Sequence, residues 1–145
     1  MAKQVFINLP VKDLDRSMKF FEGLGFSFNP TFTNEQGACM VVSDTIYVML
    51  LREDFFSTFT QKPVVDATKA TEVLVCLDAD SRADVDAIVK KAQELGGSIY
   101  REPQDHGWMY QHAFADLDGH QWEFAFMDEA ALQEQMAAGA ADAAS

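Results

Sequence analysis

Along Gln4–Pro10 hydrophobic and polar positions alternate, with Val5, Ile7 and Leu9 on one face and Phe6 and Asn8 on the other. That period predicts a half-buried strand. The period then lengthens: Asp13 stands where a helix N-cap is expected, and Ser17, Phe20, Phe21 and Leu24 recur at helical spacing up to Gly25. Phe26–Phe28, Cys39–Val42 and Ile46–Leu51 read as further strands, separated by turn residues at Asn29-Pro30, Asn34–Gly37 and Ser43-Asp44. A second stretch follows the same order. Glu72–Leu77 reads as a strand, and Ser81–Leu95 as a helix with Val85, Ile88, Val89, Ala92 and Leu95 on one stripe, stopped by Gly96-Gly97. Ser98–Arg101, Tyr110–Asp116 and Gln121–Phe126 then read as strands, with Pro103–Trp108 as a rim loop.

Lys3–Leu51 and Thr71–Met127 are therefore two copies of one βαβββ unit. A unit of this kind cannot bury its own apolar face, and two of them can close a shared cup. The expected fold is α+β: two modules forming a curved mixed sheet that encloses a cup, with helices on the convex face. The expected organisation is a first module at 1–52, an aromatic linker at 53–70, a second module at 71–127 and an Ala-rich helix or tail at 128–145. Phe55, Phe56 and Phe59 in the linker suggest a short amphipathic helix covering a cavity edge or a subunit contact. The tail should be helical at first and then frayed.

Period-two alternation also assigns faces. Trp122, Phe124 and Phe126 form a bulky apolar floor for helices, which sends Glu123 to the opposite, concave face. By the same reasoning Glu72, Leu74 and Cys76 face the cup from the second module, and Phe6, Asn8, Tyr47 and Met49 from the first. Trp108 and Tyr110 are placed on its rim. Apolar walls with a few convergent polar groups suit a small-molecule pocket. Two facing carboxylates, Glu72 and Glu123, would push one pKa upward, giving an acid/base pair or a seat for a cationic ligand such as an amine. Pairing of Glu123 with a nearby cation, Arg101 for instance, is the alternative.

Composition narrows the partners. The net charge is −12, and the eleven Lys and Arg residues form no run, which argues against nucleic acid or an anionic membrane. No apolar run approaches the roughly 18 residues of a membrane helix, and no signal peptide is expected. Cys39 and Cys76 lie in separate modules without metal or redox spacing, as free thiols of a cytoplasmic protein would. No Ser-His-Asp or Cys-His order suggests nucleophilic catalysis. His106, His112 and His120 read as surface or structural groups, and Asp13, Asp44 and Asp118 as caps and turn residues.

The doubled βαβββ pattern, the opening VKDLDRSMKFFEGLGF and the closing DLDGHQWEFAF resemble the vicinal oxygen chelate superfamily over residues 3–127. That group includes glyoxalase I, bleomycin-resistance proteins and extradiol dioxygenases. Its metal-dependent members carry ligands on the first and last strands of each module, at places that the resemblance puts at Phe6, Met49, Glu72 and Glu123 here. Phe6 cannot bind a metal and Met49 binds only soft ones, so the resemblance implies a degraded metal centre, with no cofactor expected. The favoured expectation is a cytoplasmic homodimer that binds a small molecule, in the manner of the bleomycin-resistance members. A glyoxalase-type lyase or isomerase would instead use a divalent metal on Glu72 and Glu123. A non-enzymatic protein-interaction module is the third reading.

Overall fold

A computed structural model describes residues 1–144, with side chains through 140; Ser145, the last residue of the expected tail, lies outside the described residues. The chain divides into two compact units, Met1–Ala70 with Leu117–Gly119, and Thr71–Asp116 with His120–Ser145.

In the first unit, β1 (Val5–Val11) runs parallel to β4 (Ile46–Arg52), and β3 (Gly37–Val41) and β2 (Ser27–Phe28) continue the sheet antiparallel in the order β1-β4-β3-β2. The expected inner face is buried toward the end of β1, while Val5 at its start is exposed and Ile7 half-buried. Leu9, Val11, Val48 and Leu50 are buried, and with them Phe20 and Phe21 of helix α1 (Leu14–Gly23). Asp13 caps α1 by accepting from the Arg16 N–H at 3.1 Å, and Gly25 leaves the helix at φ 103°. The linker forms α2 (Glu53–Phe56) and a 3₁₀ turn, Ser57–Phe59.

Residues 117–119 complete this unit. Asp118 is buried and accepts from the Lys12 N–H at 2.9 Å and the Ser17 hydroxyl at 3.1 Å. Gly119 has φ 87°, and a β-carbon there would come within 2.8 Å of the Ala67 carbonyl, so no other residue fits.

In the second unit β5 (Leu74–Asp78) is parallel to β8 (Gln121–Met127), followed by antiparallel β7 (Met109–Ala115) and the short β6 (Gln104–Asp105). Helix α3 (Arg82–Glu94) is capped by the Ser81 hydroxyl, and Val85, Val89 and Ala92 are buried with Val75, Phe114, Trp122 and Phe124. Two sequence expectations need correction. Ser98–Arg101 is no strand, since Ser98 makes only a single bridge to Ala115. The strand expected from Glu72 begins instead at Leu74, because Leu74 is the first residue with a ladder partner, Gln121. Helix α4 spans Glu129–Ala144.

The β7–β8 turn rests on one carboxylate. Asp116 is buried and accepts from the His120 N–H and the Trp122 indole N–H, each at 3.0 Å. Asp116→Ala strands both donors, and urea unfolding should read a loss of about 3 kcal/mol. A loss below about 1 kcal/mol would mean that water replaces the carboxylate.

Candidate functional site

The unit 2 ladder decides what stands beside Glu123. Cα pairing sets Cys76 level with Glu123 and Leu74 level with Gln121, while Ala113 flanks Glu123 from β7. Paired residues in a sheet point to the same face, so Glu123 and Cys76 share the face opposite Trp122 and α3. Glu72 does not join them. It is exposed at a bend before β5 and stands four positions ahead of Cys76, roughly 13 Å of extended chain. The expected pair of facing carboxylates is therefore not assembled. The helix caps explain the misreading: Leu74 stands seven residues before Ser81, as Phe6 stands seven before Asp13, so Leu74 rather than Glu72 is the counterpart of Phe6.

The partner of Glu123 is a cation. Arg101 Nη2 donates to Glu123 Oε1 at 3.2 Å, with side-chain exposures of 24% and 17%. A pair this withdrawn from water is screened much less than a surface bridge. The same guanidinium has its Nε buried without a hydrogen-bond partner. His112 holds the segment from the other side: its Nε2 lies 3.1 Å from the Arg101 carbonyl, which can only accept, so Nε2 carries the proton. His112 is level with Phe124 in the ladder and faces the helix side rather than a cup.

Cys76 is exposed, yet its thiol is held above the ordinary range, by desolvation first and then by the neighbouring Glu123 carboxylate. Tyr100, next in sequence to Arg101, is also raised, mainly by desolvation.

Tyr110 requires correction as a pocket residue. It is level with Phe126, and its hydroxyl donates to Asp86 of α3 at 2.5 Å, so it lies on the helix side of the sheet. Bonding to Asp86 pushes its phenol up to about 12. Arg82 lies over the Tyr110 ring at 5.2 Å and reaches Asp105 Oδ2 at 2.6 Å and the Gly107 carbonyl at 3.0 Å. The rim loop is thereby latched to α3. Trp108, expected at the rim, is half-buried, and its carbonyl accepts from the Asp128 N–H at 2.6 Å.

Unit 1 carries the other expected site residues. Phe6 is 51% exposed and stacks on Tyr47 at 4.9 Å and 11°. Asn8 is level with Met49, which is level with Cys39 across the next strand pair. A cavity of about 390 Å³ opens on this face, lined by Asn8, Leu51, Phe56, Phe59 and Thr60. Of these five, Asn8 was expected in a pocket, and the linker aromatics Phe56 and Phe59 at a cavity edge or a subunit contact; Leu51 and Thr60 were not anticipated.

At the positions the resemblance assigns to metal ligands, Glu123 turns an oxygen to a guanidinium, Glu72 lies at the bend before β5, and Phe6 and Met49 offer a hydrocarbon and a thioether. Among the described residues, no group of three or more His, Cys, Asp or Glu side chains converges on a metal-sized site.

Residues 3–124 match the Glyoxalase/Bleomycin resistance protein/Dioxygenase superfamily, and the chain belongs to it. Among solved structures it is similar to the hypothetical protein SA1046 from S. aureus, at 30% identity and TM-score 0.74, covering 87% of this chain and 95% of that one. A glyoxalase-related enzyme from Fulvimarina pelagi is 22% identical with TM-score 0.72, covering 86% of this chain and 88% of that one. The fosfomycin resistance protein FosX from Mesorhizobium loti is 17% identical with TM-score 0.65, covering 87% and 92%. The last two share the fold. No curated protein matches the sequence.

Two measurements check this geometry. Replacing Glu123 by Gln removes the negative neighbour while Arg101 stays, so Cys76 should react with a disulfide reagent about three- to tenfold faster at pH 8; an unchanged rate would separate the two residues. In ultraviolet titration one of the three tyrosines should ionise near 12 rather than 10, and Asp86→Asn should return it to the ordinary range. A raised phenol favours the folded state below pH 10, a contribution lost as pH rises through about 12.

Proposed function

We propose that this chain is a small-molecule-binding member of the superfamily in which an internal ion pair takes the place of a metal centre. The observation that carries the reading is the Arg101–Glu123 contact at 3.2 Å, on the sheet face opposite α3. A carboxylate committed to a guanidinium is a poor metal ligand, because a divalent cation would have to displace the arginine and stand beside its charge. The same pairing removes the basis for an amine ligand, which rested on two carboxylates acting together.

What the face offers instead is a guanidinium of limited exposure, a neutral thiol and the exposed apolar surface of Leu74, which is 53% accessible. Such a surface suits a small molecule with an apolar body and a carboxylate or other anionic end, since Arg can serve two acceptors at once. Glu123 then acts as a positioning group, holding the guanidinium in place, rather than as a proton-transfer base. On this reading the protein acts as a homodimer, following the resemblance, and in the cytoplasm, following its two free cysteines.

Metal analysis and thermal shift test the reading together. Benzoate should raise the melting temperature more than benzylamine at equal concentration, chelator should not alter that shift, and Arg101→Gln should abolish it. Stoichiometric transition metal, with ligand binding lost on chelation, would sink the proposal.

A further inference from the structure

The unit 1 cavity carries chemistry that is independent of Arg101 and Glu123. It is built by the segment after β4, which hydrogen-bonds to itself. Ser57 Oγ donates to the Asp54 carbonyl and Thr58 Oγ1 to the Phe55 carbonyl, both at 2.7 Å, and the Phe55 N–H is held by Asp54 Oδ1 at 2.9 Å. α2 packs against β1 and β4. Phe55 meets Phe59 edge to face at 5.0 Å and 81°. The Phe59 ring is thus held in place while 68% exposed, so that a face of it is preorganised and left to water.

The polar groups are few and complementary. Asn8 donates its amide nitrogen to the Phe6 carbonyl at 3.4 Å, which leaves its carboxamide oxygen to accept. Thr60 Oγ1 accepts from the Lys62 N–H at 3.1 Å, which leaves its O–H to donate. The remaining walls are Leu51, Phe56 and Phe59, and no lining residue is charged. At about 390 Å³ the cavity falls within the usual range for small-molecule sites. The wall therefore offers an ionised ligand no counter-charge.

We propose that this cavity binds an uncharged, planar aromatic molecule bearing a hydrogen-bond donor beside an acceptor, of the aromatic lactam or amide class. The ring system lies against Phe59 and Phe56; the ligand N–H meets Asn8 Oδ1, and its carbonyl meets the Thr60 O–H. This assignment goes beyond the reading of unit 2 and does not depend on it, so either can fail alone.

The test uses the full chain and four probes that share a two-ring body: 2-quinolone, naphthalene, 2-naphthoate and 2-naphthylmethylammonium. Amide-shift titration should give saturable binding of 2-quinolone in about the 0.1–1 mM range expected for a fragment of its size. Shifts should centre on Asn8, Phe56, Phe59 and Thr60. Thr60→Val and Asn8→Leu should each weaken 2-quinolone about five- to tenfold and leave naphthalene unchanged, while Phe59→Ala weakens both. Because naphthalene binding persists in the first two variants, it reports that they are folded. The proposal is overturned if either charged probe binds as tightly as 2-quinolone, if the shifts fall on Cys76, Arg101 and Glu123 instead, or if no probe saturates below about 10 mM.

Discussion

The carboxylate of Asp116 fixes the hairpin on which unit 2 depends. It holds the His120 amide and the Trp122 indole at once, and the Asp116 backbone N–H donates to the His120 carbonyl at 2.9 Å. These three bonds set the start of β8 against the end of β7. A slip of one residue would turn Trp122 out of the core and Glu123 into it. With the turn locked, Glu123 comes level with Cys76, and the guanidinium of Arg101 finds its partner. The electrostatics of the exposed face are thus a consequence of a buried turn.

This arrangement explains why the segment DLDGHQWEF marks the superfamily so well and its chemistry so poorly. Asp116, His120 and Trp122 serve the hairpin, while Asp118 and Gly119 serve unit 1. Of these nine residues, only Gln121 and Glu123 have the parity of the candidate face, level with Leu74 and Cys76. Matching the segment therefore identifies a scaffold, which can host several chemistries.

The elements that alternation and capping specify were legible in the sequence. The two helices with their Asp13 and Ser81 caps, the glycine stops and the inner faces of β1, β4, β5 and β8 follow from local rules. The site was legible only in part. Glu123 was assigned to the correct face, and its pairing with Arg101 stood among the alternatives, but alternation gives a side of the sheet and not a register. Glu72 has the correct parity and the wrong level, and only the β5–β8 ladder reveals that Cys76 takes the adjacent place. Tyr110 was misplaced for a related reason: the loop before β7 obscured its parity, which the bond to Asp86 resolves. Contacts such as Arg82 with Asp105, which join α3 to the loop, have no periodic signature.

The close fit of Gly119 against Ala67 and Thr68 also gives the linker two fixed ends. One lies at the Phe55–Phe59 ring pair, the other at the turn where Asp66 Oδ1 accepts from the Thr68 N–H at 3.0 Å. Between them runs a short strap, residues 60–65, that lies outside any helix or strand and is exposed along most of its length. In a lineage of such proteins, divergence would concentrate in that strap, next to the Thr60 edge of the cavity. Insertion or deletion there would reshape that edge of the cavity without disturbing either sheet.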